Sequence, residues 1–301
     1  MSTVAHHPAQ GQKYLVTGAR GMLGSDLLEA LFGRDVTAVG HAELDITDRD
    51  AVFAAVRGYD VVINSAAYTA VDAAETDEAT ALAVNGTAVG LLAEACASVG
   101  ARLVHVSTDY VFRGDATTPY AEDAPREPLN AYGRTKAEGE RLALAAHPDG
   151  VFIVRTAWIY GAHGNNFPKT MLKLAASRDT VSVVDDQVGQ PTWTSDLAQR
   201  IVDLLDADAP AGIYHGTNSG TASWFDLAKA TFGVAGLDPD RVGATDSTAF
   251  VRPAPRPNYS VLGHDAWQKA GLPPMRPWQE ALAEAAATGV FDPDDDVASS
   301  R

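Results

Sequence analysis

"KYLVTGARGMLGSDLLEALFG", residues 13 to 33, decides how this chain is read. An apolar run from Lys13 to Thr17 stops at Gly18, Gly21 and Gly24 follow at three-residue spacing, and apolar residues then recur every three or four positions. A strand, a tight turn and a helix are predicted in that order. Glycines at such a turn permit close backbone approach, while the helix N-terminus offers unpaired N–H groups and a partial positive charge suited to a diphosphate. A glycine triplet alone fits any strand-to-helix turn. The dinucleotide reading needs the βαβ unit around it.

That unit extends down the chain. "DVTAVG" (35–40), "DVVINSAA" (60–67), "RLVHVST" (102–108) and "GVFIVRT" (150–156) are near-continuous apolar runs, as expected of parallel strands covered on both faces. Between them, residues 22–33, 48–58, 77–100 and 130–147 carry helical periodicity and read as crossover helices, with Asp48 as an N-cap. The predicted fold is α/β, a Rossmann-like doubly wound parallel sheet over residues 13–160, with some later segments packing back. Beyond residue 160, Pro, Gly and Asn become frequent and strands short, so 161–290 reads mainly as a smaller mixed α/β substrate-binding lobe. Residues 1–12 and the acidic 291–301 read as disordered tails.

Composition narrows the function. With 301 residues and 46% apolar content the chain can bury a sizeable core, and a formal net charge of −16 argues against a broad surface for nucleic acid or anionic lipid. No signal peptide is evident, and no stretch approaches the roughly 20 apolar residues that span a bilayer, so a cytoplasmic protein is expected. The single cysteine, Cys96, sits in a helical apolar pattern and reads as a packing residue.

Two further stretches carry chemistry. "STDYVF" (107–112) ends the fourth strand, and "YGRTK" (132–136) places Tyr132 and Lys136 on one helix face. A phenol titrating near ~10 is a poor acid at neutral pH, but a nearby ammonium stabilises phenolate, so this pair predicts a general acid for protonating an alkoxide. Ligands of open α/β sheets sit at the carboxyl ends of strands, which puts Thr108 where it can donate to a substrate carbonyl. A ribose-binding carboxylate is expected about 20 residues after the glycines, with Glu43 and Asp45 as candidates; Arg20 could face a 2′-phosphate.

These motifs together resemble the extended short-chain dehydrogenase/reductase family acting on nucleotide-sugars, whose GxxGxxG version of the glycine loop is matched here, and within it the dTDP-4-dehydrorhamnose reductase branch. "INSAAYTAVDAAE" (63–75), "RTAWIYG" (155–161), "GNNFPKTML" (164–172), "VVDDQVGQPTWTSDLA" (183–198) and "RPAPRPNYSVL" (252–262) occur in family order and extend the resemblance over residues 13–290. It implies catalysis by Thr108, Tyr132 and Lys136, with Lys136 also bonding the nicotinamide ribose. It implies a cofactor site of Gly18, Arg20, Gly21, Met22, Leu23, Gly24, Asp45, Ile46, Ala66, Ala67, Tyr68, Tyr132 and Lys136, filled by NADPH or alternatively NADH. Substrate contacts carried over are Val71, Asp72, Asp109, Tyr110, Trp158 and Asn166, with Arg252 or, preferred, Arg256 on the diphosphate. Tyr259, between Asn258 and Ser260, departs from the family pattern in that loop.

The implied reaction is reduction of a dTDP-4-keto-6-deoxysugar to dTDP-L-rhamnose by a monomer or homodimer, with no metal. Other readings are a ketoreductase for another dTDP-deoxysugar, an epimerase or dehydratase, or a non-catalytic regulatory subunit of the methionine adenosyltransferase beta type. "STDYVF" lacks a Glu beside Asp109, which weakens the dehydratase reading.

Overall fold

A computed structural model describes residues 11–292. Six parallel strands form the central sheet in the order β2-β1-β3-β4-β5-β10: β1 (Lys13–Thr17), β2 (Asp35–Val39), β3 (Val61–Asn64), β4 (Arg102–Thr108), β5 (Val151–Thr156) and β10 (Gly212–His215). β10 comes from the second half of the chain, pairing Ile213 with Ile153, so "GIYHGTN" completes the first sheet. The crossovers follow from burial on both faces. Tyr14, Val16, Ile63, Val104 and Val154 point to one side, against Leu23 and Leu27 of α1 (Met22–Ala30) and Leu197 and Ile201 of a later helix. Leu15, Val62, Leu103 and Ile153 point to the other, against α2 (Arg49–Ala55), α5 (Ala88–Val99) and α6 (Ala131–Ala146). Asp48 caps α2 by accepting from Ala51 N–H, as its position predicts.

After β3 come α3 (Val71–Ala74) and α4 (Glu78–Leu82), which runs through a π-turn at Ala83–Thr87 into α5. Glu78–Val99 is long and apolar enough by composition to cross a membrane, which corrects the sequence expectation. Its apolar side instead packs in the core, with Val89, Leu92, Ala93 and Cys96 fully buried. Burial alone pushes the Cys96 thiol up to about 12, consistent with a packing role.

The remaining elements build a smaller assembly beside the carboxyl ends of the sheet. β6 (Ile159–Tyr160) pairs with β9 (Thr192–Trp193), β7 (Val181–Val184) with β12 (Val242–Thr245), and β8 (Val188–Gly189) with β11 (Ala222–Ser223). α7 (Phe167–Ala175), α9 (Trp224–Val234) and α11 (Trp278–Ala287) cover these pairs, while α8 (Thr194–Asp206) returns to α1 and α10 (Asp265–Lys269) buries Trp267 in the core of the sheet. Most of the segments read as tails lies outside the described residues. At their inner ends, Gln12 accepts hydrogen bonds from Tyr14 and Arg102, and the Phe291 ring lies 6.0 Å from that of Tyr160.

Candidate active site

A cleft of about 830 Å³ opens at the carboxyl ends of β1, β3, β4 and β5, within the size range of cofactor sites. Gly18 begins it. Its φ of +68° suits glycine, and a Cβ there would come within 2.5 Å of Ala66 N, so only a bare Cα lets the loop lie against the end of β3. Gly21 is the N-cap of α1, and no side chain caps that terminus, so its first-turn N–H groups are free to bind an anion. The cradle and the free helix end fit a dinucleotide diphosphate. Every residue expected around the cofactor lines the cleft: Gly18, Arg20, Gly21, Met22, Leu23, Gly24, Asp45, Ile46, Ala66, Ala67, Tyr68, Tyr132 and Lys136.

Beside the glycine turn, Arg20 is ion-paired with Glu43, which also accepts from Gly40 N–H at 2.9 Å. Asp45 accepts from the amide and hydroxyl of Thr47 at 2.9 and 2.7 Å, and these bonds hold its carboxyl below the ordinary range. Asp45 thus closes the turn before α2 as well as lining the cleft.

At the other end, α6 delivers Tyr132 and Lys136. Asn130 caps the helix by accepting from Gly133 N–H at 2.8 Å. Gly133 must be glycine, because a Cβ would meet Tyr110 O at 2.2 Å; that close approach holds Tyr132 beside the end of β4. The Tyr110 and Tyr132 rings meet edge to face at 5.7 Å. Thr108 donates to Asp109 Oδ1 at 3.0 Å and accepts from Tyr110 N–H at 3.2 Å.

The electrostatics differ from the sequence expectation in one respect. Lys136 Nζ donates to Val106 O, at 2.6 Å, and lies 3.3 Å from His105 Nε2. Burial therefore dominates Tyr132 and pushes it up to about 12, with the Thr108 hydrogen bond pulling down and the Asp109 charge pushing further up. Lys136 itself is brought down to about 8 by burial, partly offset by Glu140. Asp109 is raised to about 6 by burial against hydrogen bonds from Ser260 and Thr108. The predicted acid and its hydroxyl partner are brought together, and burial, not a neighbouring ammonium, sets the direction in which the phenol shifts.

Of the residues expected around the substrate, Val71, Asp109, Tyr110 and Trp158 line the cleft, whereas Asp72, Asn166 and Arg256 do not. Asn166 caps α7, accepting from Lys169 N–H at 3.0 Å and donating to Gly161 O at 2.9 Å; its neighbour Asn165 lines the cleft instead. "NFPK" was already a capping signal, with Pro inside the first turn. Asp72 pairs with Arg256 at 2.9 Å and more loosely with Arg252 at 3.8 Å. Against the upward pull of burial, these partners and Ala254 N–H hold Asp72 below the usual carboxylate range. The charges of Arg256 and Asp72 also act on the Tyr110 phenol, in opposite directions. Tyr259, the departure noted in this loop, gives its N–H to Gly114 O, and the next residue, Ser260, gives its N–H to Val188 O.

Sequence reasoning missed Trp224, which starts α9 behind a Ser223–Asp226 capping box and stacks on Trp158 with ring centroids 3.7 Å apart. Trp158 holds φ at +47°, uncommon for a bulky residue and worth notice at a site. No local signal brings these tryptophans together. No metal was expected; among the described residues, Asp26, Glu29 and His163 bring potential ligand atoms within 4.8 Å of one another.

Comparison with known proteins agrees with this fold. The family model for the RmlD substrate binding domain matches residues 12–290. The chain is similar to a dTDP-4-dehydrorhamnose reductase of Streptomyces griseus, 53% identical over 286 residues covering 92% of this chain and 94% of the relative. It is 51% identical over 277 residues to a dTDP-4-keto-6-deoxy-D-glucose reductase of Streptomyces niveus, covering 91% and 96%. Among solved structures, a dTDP-4-dehydrorhamnose reductase of Bacillus anthracis in complex with NADP superimposes with a TM-score of 0.89 at 38% identity, over 92% of this chain and 99% of that one. A match over nearly the whole described chain, with the same α/β architecture, makes this protein a member of the RmlD substrate binding domain family.

Proposed function

We propose that this protein is an NADPH-dependent 4-ketoreductase of dTDP-6-deoxysugars that reduces dTDP-6-deoxy-L-lyxo-4-hexulose to dTDP-L-rhamnose. The observation that carries the reading is a single cleft with a glycine cradle and free helix terminus at one end and Thr108, Tyr132 and Lys136 at the other. When bound, the nicotinamide supplies a hydride to C4 of the sugar. Tyr132 gives its proton to the C4 oxygen, and Thr108 turns its hydroxyl from Asp109 to donate to the same atom. Lys136, at the base of the cleft, holds the nicotinamide ribose and sets the face of transfer. Val71, Asp109, Tyr110 and Trp158 enclose the sugar, and Arg256, released in part from Asp72, reaches the diphosphate in a fork. Arg20 leaves Glu43 to meet a 2′-phosphate, whereas Glu43 and Asp45 serve the ribose of NADH.

The relative from Streptomyces niveus supports a second substrate, the 4-keto-6-deoxy-D-glucose nucleotide. In either case we place the enzyme in the cytoplasm, as a monomer or homodimer working on a free nucleotide-sugar. A net charge of −16 supports independence from nucleic acid and membrane. The test is NADPH oxidation at 340 nm with each keto-sugar, generated from dTDP-4-keto-6-deoxyglucose with and without a 3,5-epimerase. Turnover only with the epimerase supports the rhamnose reaction; turnover without it moves the substrate to the unepimerised sugar. NADPH binding with no turnover on either sinks the reductase reading.

A further inference from the structure

Beneath Lys136 lies a chain of buried polar side chains that the proposed reaction does not use. Thr17, at the end of β1, donates to Asn64 Oδ1 at 2.7 Å, and Ala66 N–H donates to the same oxygen at 3.1 Å. Asn64 Nδ2 lies 3.0 Å from His105 Nδ1, and His105 Nε2 lies 3.3 Å from Lys136 Nζ. Asn64 and His105 are fully buried, and Thr17 and Lys136 nearly so.

The backbone decides the polarity of this chain. An amide N–H can only donate, so the Asn64 atom facing Ala66 is its oxygen, and the atom facing His105 is its NH₂. His105 Nδ1 is therefore an acceptor. Burial, aided by the Lys136 charge, holds His105 well below its ordinary range, and a neutral imidazole with Nδ1 accepting carries its hydrogen on Nε2. That hydrogen points at Lys136. A free amine can accept it on its lone pair while donating to Val106 O; an ammonium has no lone pair and sets a second hydrogen against it.

Other charged groups around the lysine do not reverse this balance. Glu140, one turn along α6, favours the ammonium, but its carboxylate is bound by Arg155 at 2.8 and 2.9 Å, by Ser107 at 2.6 Å and by Arg126 at 3.3 Å. From the cleft side, Tyr132 stays a neutral phenol, and Asp109 is engaged with Thr108.

We propose that Asn64 and His105 are positioning residues that bias Lys136 toward the free amine in the ligand-free protein, so that above its midpoint the amine takes up a proton when the anionic cofactor binds. The first half stands on the geometry alone; the proton uptake rests on the NADPH reading above. Nitrogen NMR of the ligand-free full chain should find His105 as the Nε2–H tautomer, and carbon NMR should find Lys136 titrating near 8. Asn64→Asp keeps an oxygen facing Thr17 and Ala66 but replaces the donor facing His105 with an acceptor. The imidazole should then take its hydrogen on Nδ1, and the Lys136 midpoint should rise by about one pH unit or more.

A merely structural role would not reverse a tautomer. An Nδ1–H tautomer in the wild type, or an unmoved Lys136 midpoint in folded Asn64→Asp, overturns the proposal. Should that variant not fold, the wild type decides alone: Nε2–H with a depressed lysine midpoint sustains it, and any other combination overturns it. Calorimetry of NADPH binding at pH 9, in buffers of different ionisation heat, should show net proton uptake; binding without uptake removes the second half. Failure to bind NADPH at all would break the cofactor reading and leave the NMR result standing.

Discussion

The two ends of the cleft are built by different means. The glycine end comes from one uninterrupted stretch, β1 to α1, and what it offers a ligand is an uncapped helix N-terminus behind a glycine turn. The opposite end gathers side chains from distant segments: Asp72 accepts from Ala254 N–H across 182 residues of sequence, and Trp158 stacks on Trp224. A backbone site depends on a few φ angles and close approaches. A side-chain site depends on tertiary pairing, and its polar groups hold one another until a ligand competes for them.

If this contrast is right, damage at each end should be separable. The largest effect is expected from Tyr132→Phe, which removes the proposed acid: kcat should fall by roughly 10²–10⁴, with NADPH affinity changed little. Retained turnover in that variant would take the proton donor elsewhere. Gly18→Ala should strike the other end. A methyl 2.5 Å from Ala66 N and a φ of +68° should cost about 1–3 kcal/mol in stability and weaken NADPH at least about tenfold. Thermal melts with and without NADPH would read this, and an unaffected cofactor affinity would disprove the backbone cradle.

Smaller effects sharpen the substrate end. Arg256→Ala should raise KM for the nucleotide-sugar about tenfold and leave NADPH binding alone, since the side chain pairs with Asp72 beside Val71 and not with the glycine turn. Equal loss of both would show that the ends are coupled. The last effect concerns pH. Asp109 titrates near 6 in the fold against 3.8 unfolded, so it binds its proton more tightly when folded. Its contribution to stability is complete below pH 3.8 and is lost as pH rises through 6. Asp109→Asn removes that loss. Relative to the variant, the wild type should weaken between pH 4 and 6 by up to on the order of 3 kcal/mol, and parallel curves would refute the raised value.

The same contrast explains what could be read in advance. Local rules sufficed wherever a feature is made by neighbours in sequence: the strand, glycine turn and helix of 13–33, the Asp48 cap, and the Tyr132–Lys136 face of α6. They failed where partners are remote. The short run "GIYHGTN" joins the central sheet because β5 offers an open edge, and Asn166 is spent on capping α7.

By itself the sequence determined the α/β alternation, the glycine turn and the shared helix face of Tyr132 and Lys136, because periodicity and turn chemistry act over a few residues. Only the tertiary structure decided where the Lys136 amine points, which arginine clasps Asp72, and how Trp224 meets Trp158. Those outcomes depend on burial and on competition for hydrogen bonds among groups brought together from separate elements, and neither is encoded in any one segment.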